Sequence, residues 1–545
     1  MSRNSDVESL RTRAISTDAA SLATITILSA IPYVARLGFY SDDWGILSDF
    51  SANGLAGFLS AFPGRPVQAV YSAAQIRLFG LDPLGYHLLD TAVLACAAVL
   101  LYLLLVRLRF SRAESFTATL LFLILPQLTT VRVWFAASQV PLSLSLMLAS
   151  MHFQLSLARS GKLWWLAGVV PAAVLSVGAY EIFAPLLAGF AFGLAFVRWR
   201  KSPWRRNPRA VAAGAALLAL MLLAFVYKLF SSGRAGPVAD PKRYILGLHQ
   251  LFRLDYDWRL DSGLNIIATP EAYFLKPVEG WWTGAASVTS GEAGWEISGI
   301  AVLIGAIALW RLAGRNEERS APRRLLLLGI AAFLLGNATF LIVPAVTFTS
   351  TGMDNRVQVA AAIGVAIIFT SLLSIGIGLL RRRHRAIAFA AVAAILGAFG
   401  FVRIAEIEDY WAAAPRLQQR VLSSARVDLR DLPSNSTVIL DGVCPYYGPA
   451  VVFEAPWDVG GALTLVLGRP MNGDAVSPRM ALTRTGVRTS IYKAPSFYPY
   501  GQSLYAYAWA THELVPLDSR VAAQRYFRDR EPRHCPGYVA RGVEV

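Results

Sequence analysis

Phe39-Tyr40-Ser41-Asp42-Asp43-Trp44 follows directly on the first apolar stretch of the chain, where that stretch should leave a membrane. Charges at membrane depth are expensive, and those retained there usually face a cavity and serve a function. The reading of this acidic pair depends on what surrounds it. The chain has 545 residues, 55% of them hydrophobic and 16% charged, with a mean hydropathy of +0.47. A soluble protein of this length carries more charge, so the composition is that of a polytopic membrane protein. The formal net charge of +16 does not signal nucleic acid. Its Arg and Lys residues cluster in short tracts between apolar spans, the positive-inside pattern.

Working outward, residues 1–18 form a polar N-terminal tail with Arg3, Arg11 and Arg13 and no cleavable signal pattern, expected to remain cytoplasmic. The first span, Ala19 to Leu37, has about the 20 residues needed to cross roughly 30 Å of hydrocarbon and delivers Asp42 and Asp43 to the opposite face. Residues 41–86 read as a first external loop holding two interfacial amphipathic helices, broken at Gly64-Arg65-Pro66.

Further spans follow at Tyr86–Val106, Phe116–Pro126, Val140–Leu157, Leu163–Ala179, from Glu181 to the basic tract starting at Arg198, and Val211–Phe230. The Phe116–Pro126 span is short and continues as a broken segment through Thr130, Arg132 and Trp134. After a second external loop at 231–294 come Ile297–Trp310, Leu325–Val343, Val357–Leu380 and Ala386–Val402. The count is about eleven, and it places every basic tract on one side. The expected fold is an α-helical polytopic membrane domain over 19–403, followed by an extracytoplasmic α/β domain over 404–545. Thr437-Val438-Ile439-Leu440 and Leu463-Thr464-Leu465-Val466-Leu467 are its strand-like runs.

Of the three cysteines, Cys96 in the second span reads as a small buried hydrophobe. Cys444 and Cys535 share the external, oxidising side, so a disulfide between them is expected. No Cys-x-x-Cys or His/Cys cluster suggests zinc.

The span ending in Tyr40-Ser41-Asp42-Asp43-Trp44, followed by Gly64-Arg65-Pro66-Val67 and Phe79-Gly80, resembles the GT-C superfamily of membrane glycosyltransferases. That superfamily includes protein mannosyltransferases and the lipid A aminoarabinose transferase. Ser176-Val177-Gly178-Ala179-Tyr180-Glu181 is similar to bacterial members. The resemblance covers roughly the first 200 residues. It implies transfer of a sugar from a polyprenyl-phosphate carrier to a cell-envelope glycan, lipid or protein at the outer face of a bacterial inner membrane, with an external, periplasmic C-terminal domain. The leaving group is a stable lipid phosphate, so the step mainly requires the acceptor hydroxyl to be oriented and relieved of its proton, which a carboxylate can do. The same carboxylate would stabilise positive charge at the anomeric carbon.

Asp43 is the first choice for general base and Asp42 the second. Adjacent side chains point in different directions, so one faces the reacting centre while the other positions it, binds a metal ion, or caps the first interfacial helix. No cofactor is required by this scheme. A divalent metal ion is compatible with it, since some relatives need one, although one acidic pair supplies few ligands. Glu181 reads as a second acidic group that holds an acceptor or orients Arg side chains. Arg65, Arg132, Lys228 and Arg356 are the external cations suited to a lipid phosphate, with Asp354 as the expected cap of the span that Arg356 begins. His87, one helical turn from Asp90, is a further substrate-binding candidate.

Two other functions fit the sequence less well. A lipid-linked saccharide flippase or transporter should show paired internal repeats and mid-membrane polar groups, and neither is evident. An envelope polymerase or ligase should carry its functional loop late in the chain. A nucleotide-sugar enzyme is disfavoured, because Asp255-x-Asp257 is external and no Gly-rich phosphate loop occurs on the cytoplasmic side.

Overall fold

The computed structural model describes residues 2–201, 270–313, 321–341, 348–477, 480–491 and 494–528. The expected seventh span, Lys228, the 255–257 motif and Cys535 lie outside the described residues.

The helices are α1 (Ser2–Val34), α2 (Asp42–Ala61), α3 (Pro66–Phe79), α4 (Pro83–Arg107), α5 (Arg112–Leu123), α6 (Thr129–Val133), α7 (Gln139–Ser160), α8 (Leu166–Ala179) and α9 (Ala184–Lys201), then α10 (Lys276–Ser290), α11 (Gly294–Leu312), α12 (Pro322–Asn337), α13 (Val359–Ile377), α14 (Arg382–Asp428), α15 (Pro456–Leu467) and α16 (Arg520–Arg528). Among the described residues, seven are long and apolar enough to cross a membrane. The pair Arg112–Leu123 and Pro126–Val133, bent by 60°, makes an eighth if taken as one broken span. Leu163–Ala179 and Glu181–Phe196 are shorter apolar helices. The chain is a helical, multi-pass membrane protein.

Local chemistry explains the breaks. Pro66 starts α3 at its first turn, where its missing N–H costs nothing, and this separates α3 from α2 as expected. Pro126 cannot continue α5, so the chain turns there. The segment 124–138 is buried throughout. Irregular backbone at this depth survives only where protein groups satisfy it, and they do: the Asn355 side-chain amide donates to the Pro126 carbonyl at 3.1 Å and to Thr129 Oγ1 at 2.8 Å.

One helix passes through the expected boundary between membrane and outer domain. The 47-residue α14 runs unbroken from Arg382 to Asp428 and contains Pro415. Proline leaves the carbonyl four residues earlier without its helical donor. That carbonyl belongs to Trp411, and the Tyr40 hydroxyl donates to it at 2.6 Å.

Beyond α14, the parallel strands β1 (Thr437–Asp441), β4 (Asn472–Ala475) and β8 (Leu504–Ala508) and the antiparallel β9 (Glu513–Pro516) form a sheet in the order β4-β1-β8-β9. The hairpin β2 (Tyr446–Tyr447) and β3 (Ala450–Val451) lies apart from it, as do the antiparallel β5 (Ala481–Leu482), β6 (Gly486–Ile491) and β7 (Ala494–Pro499). The run Thr437–Leu440 is a strand as expected, with Val438, Ile439 and Leu440 buried.

Three expectations are corrected. Leu463–Leu467 is the end of helix α15, not a strand: Pro456 at the first turn and Gly468 with φ 67° after the last bound a helix around a run too short for periodicity to decide. Asp354 does not cap its helix; Gly352, with φ 79°, holds that position and Asp354 sits in the first turn. Cys96 is exposed on α4 rather than buried. Cys444 is disulfide-bonded.

Candidate functional site

The acidic motif lies where three parts of the chain meet. Trp134, in the turn after α6, donates its indole N–H to the Tyr40 carbonyl at 3.0 Å. His87 on α4 places Nε2 at 3.1 Å from the Gly38 carbonyl, with Nε2 as the donor. The Ser41 hydroxyl donates to Glu454 Oε1 of the C-terminal domain at 3.0 Å. Phe39 packs edge-on against both Trp44 and Tyr86. The loop entering α2 is therefore fixed by the apolar helices on one side and by the C-terminal domain on the other.

The two aspartates have different surroundings. Asp43 is fully buried. Its Oδ2 accepts the Tyr40 N–H at 2.8 Å and its Oδ1 accepts the Ala136 N–H at 2.7 Å. Burial pushes its carboxyl well above the usual carboxylate range, and the two backbone donors only oppose that. Asp43 thus ties the loop entering α2 to the broken span. Asp42, the first residue of α2, is half-buried.

The two expected residues Arg65 and Glu181 come together. The Arg65 guanidinium forks onto the Glu181 carboxylate, Nη2 to Oε1 at 3.1 Å and Nε to Oε2 at 3.3 Å, and lies over the Tyr180 ring at 4.5 Å. Arg132 is committed elsewhere. Its Nε donates to Glu408 Oε1 at 2.5 Å and its Nη2 to Ser29 Oγ at 2.6 Å, with both members of the ion pair buried. This pair, with Tyr33, Leu37, Asp90 and Leu94, lines a narrow crevice between α1, α4, α6 and α14. Asp90 is held there by Gln75 at 3.1 Å and by Tyr71 at 3.3 Å.

Arg356 differs from the other cations. Its guanidinium sits over the Trp134 ring at 4.6 Å, and its Nη1 donates to the Met353 carbonyl at 2.8 Å. Among the described residues no ion pair neutralises it. Through Trp134 and the Tyr40 carbonyl it is two contacts from the acidic motif.

Sequence reading missed Trp134, Glu408 and Glu454, the partners that hold Tyr40, Arg132 and Ser41. Each is separated from its partner by a long stretch of chain, and no local pattern marks them.

Each Asp43 oxygen accepts one backbone N–H, and among the described residues no three His, Cys, Asp or Glu side chains stand together as metal ligands.

Three solved structures are similar to this chain. ArnT from Cupriavidus metallidurans, bound to undecaprenyl phosphate, is 14% identical over 83% of this chain and 85% of its own, with a TM-score of 0.42. The oligosaccharyltransferase of Archaeoglobus fulgidus in its apo form is 12% identical over 84% of this chain, with a TM-score of 0.42. AglB from the same organism, in complex with an inhibitory peptide and a dolichol-phosphate, is 14% identical over 84% of this chain, with a TM-score of 0.38. The chain spans 64% of the length of either archaeal structure. No family model and no curated protein matches the chain.

Proposed function

We propose that this chain is a membrane glycosyltransferase of the GT-C kind. It moves a sugar from a polyprenyl-phosphate carrier to a cell-envelope acceptor at the external face, with Asp42 as the general base. The observation that carries the reading is the contrast within the acidic pair. Asp43 is buried and anchors the loop through two backbone N–H groups, while Asp42 is half-buried on a backbone that its neighbours fix from both sides. A proton acceptor must be reachable and pre-oriented, and Asp42 is the member that meets both conditions. The order of preference drawn from sequence, Asp43 before Asp42, is reversed.

The acceptor hydroxyl attacks the anomeric carbon, Asp42 takes its proton, and the bond to the lipid phosphate breaks with its electrons on the phosphate oxygen. Among the described candidates, Arg356 is the cation best suited to that phosphate, because Arg65 and Arg132 already hold carboxylates. In this reading Glu181, held by Arg65, serves the acceptor. The N-terminus is cytoplasmic and the outer domain periplasmic in this reading, so a reporter fused after Val545 is active only in the periplasm.

The test is glycan and lipid analysis of a deletion strain complemented with wild type, Asp42→Asn or Asp43→Asn. Asp42→Asn should reduce transfer by about 10²-fold or more at normal protein level. Asp43→Asn should lower the amount of folded protein. Full transfer by Asp42→Asn overturns the assignment.

A further inference from the structure

The residue that precedes Asp42 holds an unfavourable backbone conformation. Ser41 has φ 44° and ψ −114°, a region that residues with a Cβ rarely occupy. Such a conformation persists only where the surroundings over-determine it, and it concentrates at functional sites. On its N-terminal side, Tyr40 is pinned by Trp134 and by Asp43. On the side chain, the determining contact comes from the outer domain, where Ser41 Oγ donates to Glu454 Oε1.

Glu454 is itself held. Its other carboxylate oxygen accepts the Tyr446 hydroxyl. Its backbone N–H donates to Asp458 Oδ2 at 2.8 Å, and the next N–H, of Ala455, donates to Asp458 Oδ1 at 3.1 Å. Asp458 is fully buried in the first turn of α15, the helix that packs on α2. A chain of buried polar contacts thus runs from the outer domain to the residue whose dihedrals set the direction in which Asp42 leaves the loop. Docking alone does not require it: α15 already meets α2 through Gly45 and Gly461. A carboxylate buried at such a contact costs desolvation that packing groups would not.

We infer that Glu454 is a positioning residue: through Ser41 it fixes the orientation of Asp42, so the outer domain completes the site that the membrane helices begin. This rests on the function proposed above for Asp42.

The experiment uses the full chain in membranes, with the polyprenyl-phosphate-sugar fraction extracted from the source cells as donor. Glu454→Ala should lower kcat by about 10²-fold, the scale of an ångström-level misplacement, with KM for that fraction changed by less than about twofold. Glu454→Gln, whose amide oxygen can still accept from Ser41, should recover most of kcat. Ser41→Ala should match Glu454→Ala, and the double variant should be no worse than either single one, as expected for one shared contact. Wild-type kcat in Glu454→Ala while Asp42→Asn is inactive overturns this inference alone. The same holds if the two single losses multiply, or if Glu454→Gln is no better than Glu454→Ala. Full transfer by Asp42→Asn overturns the function proposed above, and this inference with it.

Discussion

Gly461 lies against the carbonyl of Trp44: a Cβ at Gly461 would fall 2.5 Å from the Trp44 oxygen. The backbones of α15 and α2 meet here without side chains between them, one residue past the acidic pair. Gly45 faces Trp457 from the other helix, with a Cβ position 3.5 Å from the Trp457 side chain. The glycines at this crossing let the C-terminal domain sit directly on the start of α2.

Gly461→Val should therefore separate the two helices. Overpacking of this kind costs about 1–3 kcal/mol, and the displaced loop should lose transfer as well. Gly501→Ala, in the same domain with nothing within 4 Å of its Cβ position, should leave both properties near wild type. Thermal melting in detergent and a transfer assay read the two effects. Equal behaviour of the two variants would show that the crossing is not tight.

The Arg132–Glu408 pair makes a prediction about stability. With only 5% and 2% of these side chains exposed, removing Glu408 leaves an unpaired charge in the interior. Glu408→Ala should cost about 3–5 kcal/mol. The double variant Glu408→Ala with Arg132→Met should recover much of that loss, because the stranded charge is gone. Denaturant unfolding in detergent measures both. A loss below about 1 kcal/mol in the single variant would mean that water reaches the pair.

Asp458 makes a prediction about pH. Burial pushes its carboxyl well above the usual range, and the nearby Glu454 adds to the shift. A carboxyl raised in the folded state contributes stability that is complete below its unfolded pKa, about 4, and lost as pH rises through the folded value. Asp458→Asn cannot ionise, so it escapes the penalty at higher pH. The melting temperature of the variant minus that of wild type should be more favourable near pH 7 than near pH 4. The amide's poorer fit to two N–H donors lowers both values alike. A difference that does not change with pH would show that Asp458 is not titrating between them.

The parts of this architecture legible in the sequence are those set by local chemistry. Pro66 and Pro126 break helices wherever they fall, and Thr437–Leu440 carries strand propensity on its own residues. The different surroundings of Asp42 and Asp43 were not legible, because one of the donors that hold Asp43 is the Ala136 N–H, 93 positions away. Arg132 read as a phosphate ligand because its partner is 276 positions away, in a span whose end looks like any other polar exit. Glu454 was hidden for the same reason, at 413 positions from Ser41.

The Tyr40 hydroxyl occupies the notch that Pro415 opens in α14, the longest helix among the described residues. Pro415 is the natural joint of that strut, and Gly38 nestles against its ring. Flexing the strut there would pull Tyr40 with it, two residues from Asp42. Bending α14 at Pro415 would therefore shift the acidic loop together with the C-terminal domain.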